Sequence, residues 1–183
     1  MIEVRWHGRG GQGAVTAAEI LAHAAINEGK YAQAFPSFGP ERRGAPVVAF
    51  NRFDDKPIWI RSDVYEPDVV VVLDPTLLKN VNVTEGLKSD GIIILNTSKK
   101  PFEAKERYGF KFKMATVNAM RIALDVIGIP VVNTAMLGAF LKATGILKLD
   151  SVLEAVKERF KGKAGEKNVE AVTHAYKETV LVG

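Results

Sequence analysis

Apolar positions along the chain follow two rhythms, alternating from one end to the other. Ile2 to Trp6 reads as a short extended segment, and Ala14 to Gly29 carries the Ala- and Leu-rich pattern of a helix that Gly29 would stop. Thr16 with Glu19 three positions on predicts a capping box at its start. Gly8 to Gly13 form the connection, so the chain opens as strand, glycine loop, helix. Lys30 to Val47 has Pro and Gly punctuation and no sustained period, which predicts a loop preceded by a short strand at Tyr31 to Phe35. VVAFNRF and PIWIRS, joined by DDKP, predict an antiparallel hairpin.

Asp68 to Asp74 and Gly91 to Thr97 are unbroken runs of β-branched residues, the pattern of parallel strands covered on both faces. Thr76 to Ser89 between them has room for a short helix. Lys111 to Val117 alternates ahead of a helix capped by Asn118 and stopped by Gly128. Asn133 is the candidate cap of the next helix, which closes near Gly145; Ser151 with Glu154 predicts another capping box, and Asn168 to Val180 a last helix. Strand followed by helix, repeated, predicts an α/β three-layer sandwich. Its expected sheet is mostly parallel and carries an antiparallel hairpin, with a Rossmann-like glycine loop after the first strand, all in a single domain over 1–183.

Composition narrows the chemistry. At 183 residues and 47% apolar content the chain can bury a sizeable core, and Lys plus Arg exceed Asp plus Glu by 25 to 21. That surplus is a mild pull toward anionic partners and falls short of a nucleic-acid signature. Cysteine is absent, which removes disulfides, thiolate nucleophiles and cysteine-ligated iron–sulfur clusters from this chain. His7, His23 and His174 stand far apart, so no metal site follows from local spacing. The start lacks a basic and then apolar leader pattern, and no apolar run reaches membrane-spanning length, which together predict a cytoplasmic protein.

Gly8, Gly10 and Gly13 satisfy G-x-G-x-x-G, with Gly11 as an extra. Glycines so placed permit a tight turn and let backbone approach a phosphate at a helix start. Arg9 offers a charge there and Gln12 an amide donor. A dinucleotide site also wants an acidic residue about twenty positions on, to hold the ribose. No such residue lies between Glu28 and Glu41. Phosphate contact of some kind, ordinary dinucleotide binding and a purely structural turn all remain open.

The second feature is the loop PSFGPERRGAP, where Glu41, Arg42 and Arg43 sit between Gly39-Pro40 and Gly44. Its arginine forks suit carboxylates and phosphates, and Phe35 and Phe38 beside them suit an interface; the alternative is an exposed charged turn. Asp74, Asn96, Thr97 and Ser98 lie at carboxyl ends of strands, where turns and caps compete with ligand contact. His7 is a candidate acid or base without a local carboxylate partner. Lys99 to Lys113 holds six Lys or Arg and two Glu, either a solvated face or, through its aromatics, a docking surface for an acidic protein.

The stretches HGRGGQGAVTAAEILAHAA and FPSFGPERRGAPVVAFNRFDDKPI, with EPDVVVVLDPTLL, GIIILNTS and NTAMLGAFLKATG, resemble the gamma subunit of 2-oxoacid:ferredoxin oxidoreductases. The likeness is greatest to the pyruvate and 2-oxoisovalerate (branched-chain) enzymes. It implies one subunit of a cytoplasmic heterotetramer that oxidatively decarboxylates a 2-oxoacid to an acyl-coenzyme A and passes the electrons to ferredoxin. The resemblance places thiamine diphosphate, with its magnesium, and the iron–sulfur clusters in partner alpha, beta and delta subunits. It leaves this chain without a catalytic residue, a metal site, nucleic-acid binding or a membrane anchor, and inactive when isolated. It implies that Gly8, Arg9, Gly10, Gly11, Gln12 and Gly13 line the coenzyme A site, with Ser37, Glu41, Arg42 and Arg43 near the cleft or the catalytic interface. Coenzyme A also accounts for the missing ribose carboxylate, because its 3′-phosphate repels one. The subunit's part would be to position the coenzyme A thiol; the alternatives are a purely structural assembly subunit and a free-standing nucleotide-binding protein.

Overall fold

The computed structural model describes residues 1–37, 39 and 42–183. Among the described residues seven strands form one sheet in the order β2-β3-β1-β4-β5-β6-β7. They are β1 (Ile2–Arg9), β2 (Tyr31–Pro36), β3 (Pro46–Asp54), β4 (Val69–Val72), β5 (Ile92–Asn96), β6 (Lys113–Val117) and β7 (Val180–Val182). The helices are α1 (Ala14–Asn27), α2 (Pro101–Tyr108), α3 (Ala119–Ile122, running on as a π turn over Ala123–Ile127), α4 (Asn133–Thr144), α5 (Leu149–Arg159) and α6 (Lys163–Glu178).

The expected α/β sandwich is present, but its sheet is mixed, not mostly parallel. Among the described residues β1, β4, β5 and β6 run parallel to their neighbours in that series, while β1 with β3, β2 with β3, and β6 with β7 are antiparallel. The short link from Pro36 to Pro46 makes β3 antiparallel to β2, since a parallel return needs a crossover of a dozen residues or more. The hairpin also differs from the expected one. The partner of β3 is β2, pairing from Tyr31 with Asp54 to Pro36 with Ala49, whereas the residues from Pro57 to Ser62 form no strand.

Asp54 ends β3 by accepting from the N–H groups of Asp55 and Lys56, and Pro57 then lacks the donor a ladder needs. The PIWIRS segment is tied down by side chains instead: Gln33 donates to the Ile60 carbonyl at 2.9 Å and Arg52 to the Ser62 carbonyl at 2.7 Å.

Strand periodicity sorts residues into two layers. Val69, Val71 and Ile94 face the large core beneath α1, α4, α5 and α6, with Val4, Trp6 and Phe53. Val70, Val72, Ile93 and Leu95 face a smaller core with Ala104 of α2, Val83 and Leu87. Helices α4 and α6 meet at Gly138, where an added Cβ would lie 2.2 Å from the Val172 carbonyl oxygen. No helix among the described residues is long and apolar enough to cross a membrane.

Helix starts follow tertiary contacts more than local capping patterns. Asn118 caps α3 as expected, accepting from the Arg121 N–H at 3.1 Å, and Gly128 and Gly145 close their helices in the left-handed conformation. The capping boxes at Thr16 and Ser151 do not form. Helix α1 begins at Ala14 behind Gly13, and α5 at Leu149 behind Lys148, whose N–H donates to Glu28 at the end of α1 at 2.7 Å. Asn133 is the first residue of α4, not its cap, and accepts from the Thr134 N–H.

Candidate functional site

Strand β1 carries the chain to Arg9, and the glycine loop then turns it into α1. Its glycines answer to different demands. Gly10 is small because another backbone lies against it: a Cβ there would sit 2.3 Å from the Arg42 carbonyl oxygen. The Gly10 N–H donates to the Ala45 carbonyl at 2.9 Å and the Gly44 N–H to the Gly10 carbonyl at 3.1 Å, which joins the two loops singled out in the sequence. Gly13 has φ +81°, and a Cβ on it would meet the Asn133 amide at 2.4 Å. Gly11 has φ +91° with open space around it. Gly8 has only ordinary contacts, the nearest to Gln12.

The polar side chains of the loop turn back on the protein. Gln12 accepts from the Arg9 N–H at 2.7 Å and donates to Asp74 at 2.9 Å, so its amide braces the loop and is not the free donor expected for an anion. Arg9 ties its loop to two other segments, donating to Asp74 at 3.1 Å and the Thr76 hydroxyl at 3.0 Å in the turn after β4, and to the Gly44 carbonyl at 3.1 Å. Asp74 also accepts from the Thr76 N–H and hydroxyl, at 2.9 and 2.6 Å. Burial pushes the Asp74 carboxyl up, but the hydrogen bonds from Thr76 and Gln12 and the charge of Arg9 outweigh it and hold the group below its ordinary value. Asp74 is thus a clasp at the end of β4, charged at neutral pH.

What stays open is backbone. A cavity of about 390 Å³ is bounded by Arg9, Gly11 and Gly13, by Ala14, Val15 and Thr16 of α1, and by Pro36 and Val47 of the hairpin. The first helical hydrogen bond runs from the Ala17 N–H to the Gly13 carbonyl. The three residues whose amides precede that bond are therefore the three from α1 that line the cavity. No side chain caps this end and its first turn has no acidic residue. Such an end attracts a phosphate or carboxylate through amide donors and the helix dipole.

The other expected residues lie around this centre. Ser37 follows β2, donating its N–H to the Val48 carbonyl and its hydroxyl to Asp63 at 3.3 Å. Arg42 and Arg43 are exposed, their backbone held against Gly10. Glu41 falls, with Phe38 and Pro40, outside the described residues.

His7 is a buried residue of β1, not part of the loop; it accepts from the Arg5 side chain at 3.0 Å, and burial, helped by the Arg5 charge, lowers its pKa to about 3. Asn96 is a cap, accepting from the Ala119 N–H of α3 and donating to the Leu73 carbonyl. Thr76 shapes the site without having been expected there, and Asn133, expected as a helix cap, packs against Gly13 instead. The Asp-Pro-Thr turn was a local signal for Thr76; Asn133 left none, because only packing brings α4 to Gly13. Among the described residues no three His, Asp or Glu gather as a metal site.

Comparison with known proteins matches residues 3–178 to the family pyruvate ferredoxin/flavodoxin oxidoreductase. The chain is 62% identical over 182 residues to the pyruvate/ketoisovalerate oxidoreductases common subunit gamma of Thermococcus kodakarensis, covering 99% of this chain and 98% of that one. It is 57% identical over 178 residues to the pyruvate synthase subunit PorC of Methanocaldococcus jannaschii, covering 97% of each. The fold matches the crystal structure of the pyruvate oxidoreductase subunit PORC of Thermotoga maritima with a TM-score of 0.89 at 42% identity, over 100% of this chain and 98% of that one.

At fold level alone, it also matches 2-oxoglutarate:ferredoxin oxidoreductase of Magnetococcus marinus, with a TM-score of 0.77 at 16% identity over 96% of this chain and 30% of that one. By extent and identity, the chain belongs to the pyruvate ferredoxin/flavodoxin oxidoreductase family, as a gamma subunit of a 2-oxoacid:ferredoxin oxidoreductase.

Proposed function

We propose that this gamma subunit seats coenzyme A by its phosphates at the head of α1, so that the thiol reaches an acyl group held in a partner subunit. The observation that carries the reading is the cavity at an uncapped helix start without acidic residues. The Magnetococcus relative, whose structure has coenzyme A and succinyl-coenzyme A bound, supports the same ligand class.

In this reading Gly11, Gly13 and the amides of Ala14 to Thr16 hold the anion, and Arg9 supplies the positive wall. Gly8, Gly10, Gln12 and Asp74 keep that surface in shape, while Ser37, Glu41, Arg42 and Arg43 border the catalytic interface. Orientation is the contribution: holding two reactants together raises their effective concentration and lowers the barrier without a catalytic group on this chain. Thiamine diphosphate, magnesium and iron–sulfur clusters belong to the alpha, beta and delta partners, and ferredoxin takes the electrons. The common-subunit name of the Thermococcus relative supports service to both pyruvate and branched-chain complexes.

A structural assembly role is the second reading, favoured by the inward bonding of Arg9 and Gln12. Hydrogen–deuterium exchange on the assembled complex separates the two. Coenzyme A should slow exchange across Gly11 to Thr16; unchanged exchange there, with coenzyme A bound elsewhere, leaves the structural reading.

A further inference from the structure

The sheet ends on β7, where Val180, Leu181 and Val182 are 49%, 42% and 37% exposed. Exposed edge strands are ordinarily blunted by shortness, charge, proline or a covering element. This one is three residues long but presents Val-Leu-Val, and among the described residues β6 is its single strand neighbour. Beside it, Phe102 of α2 is 72% exposed. Phe102, Phe110 and Val182 line an open groove of about 610 Å³, together with Lys105, Glu106 and Lys111. The stretch from Lys99 to Lys113 has six cationic side chains against two carboxylates. One of the two, Glu103, is engaged in capping α2, where it accepts from the Lys100 N–H at 3.1 Å. A groove with apolar walls thus lies at the end of a free strand edge, where Lys105 and Lys111 outnumber Glu106, on elements that contribute nothing to the cavity at the glycine loop.

We infer that this edge docks an extended acidic segment of a partner protein. The segment adds to the seven-stranded sheet beside β7, seats an apolar side chain against Phe102, Phe110 and Val182, and sets carboxylates against Lys105 and Lys111. Strand addition supplies the backbone hydrogen bonds β7 lacks on its outer side, and the groove selects alternate side chains. Charge chooses the occupant. A second copy of this chain brings the same cationic face, and like charges across an interface are costly, whereas a carboxylate-bearing strand is attracted. The inference is independent of the coenzyme A reading.

The test places a photo-crosslinking phenylalanine analogue at Phe102 in the assembled complex and sequences the adduct. The expected adduct is on a partner chain, in a segment where Asp and Glu outnumber Lys and Arg. Its yield should fall about tenfold or more in the Lys105→Glu/Lys111→Glu variant, an energy of about 1.4 kcal/mol, and recover when acidic residues of that segment are changed to lysine. Should the double variant melt below its parent, the neutral Lys105→Gln/Lys111→Gln pair replaces it and a fall is still required. An adduct on another copy of this chain, on a segment without acidic excess, or one indifferent to the charge changes overturns the inference, as does the absence of an adduct.

Discussion

Thr16→Glu separates the two roles the head of α1 can have, because it moves fold stability and anion binding in opposite directions. Thr16 lies in the first turn, which has no acidic residue, and lines the cavity. A carboxylate there interacts favourably with the helix dipole, by about 0.3–1 kcal/mol. For a chain of this size that raises the melting temperature by roughly 1–4 °C. Toward a phosphate about 6 Å away it is repulsive by about 1.4–2.8 kcal/mol, for an effective dielectric constant of roughly 20–40.

The KM for coenzyme A in the assembled complex should therefore rise about 10- to 100-fold, with kcat at saturation little changed. Thr16→Gln, similar in size and uncharged, should stay within about threefold of the parent, below the smallest charge effect worked above. The assay is steady-state ferredoxin reduction at varied coenzyme A, alongside thermal melts of the isolated subunit. A stable Thr16→Glu complex with an unaltered KM would refute an anion seat at this helix.

Gly10→Ala should instead damage the joint between the loops: its Cβ has nowhere to go but into the Arg42 carbonyl. Losing the Gly10–Ala45 and Gly44–Gly10 hydrogen bonds costs about 1–3 kcal/mol, read as a melting temperature lower by roughly 2–12 °C; an unchanged melt contradicts the close approach. His7→Gln tests the buried histidine. Because the folded pKa is depressed to about 3, the unfolded chain binds the proton first as pH falls below its ordinary value of about 6.5. Stability from this group is therefore complete above that value and lost on the way down to about 3. Urea unfolding of the parent should show a loss of roughly 2 kcal/mol from this group between pH 6.5 and 5, absent in His7→Gln; equal slopes would place His7 in contact with solvent.

Much of the site was readable locally because glycine reports backbone demand. The run from Gly8 to Gly13 announced a tight turn before a helix, and Gly11 and Gly13 do adopt positive φ. That Arg9 and Gln12 are tied back to the protein had no local signal, because their partner, Asp74, lies more than sixty residues away. The predicted hairpin failed for a similar reason. VVAFNRF and PIWIRS both look extended, and only the contacts of Gln33 and Arg52 decide that the second is held by side chains.

The amino-acid order alone determined the alternation of strand and helix, the glycine turn and the exclusion of cysteine chemistry, since these depend on side-chain periodicity, backbone freedom and residue inventory. Tertiary structure decided the strand order, the antiparallel edges, the glycine that yields to a neighbouring backbone, and the amides left open at α1. Those outcomes depend on which distant segments share a surface, and hydrogen-bond partners are assigned only once strands and helices have packed.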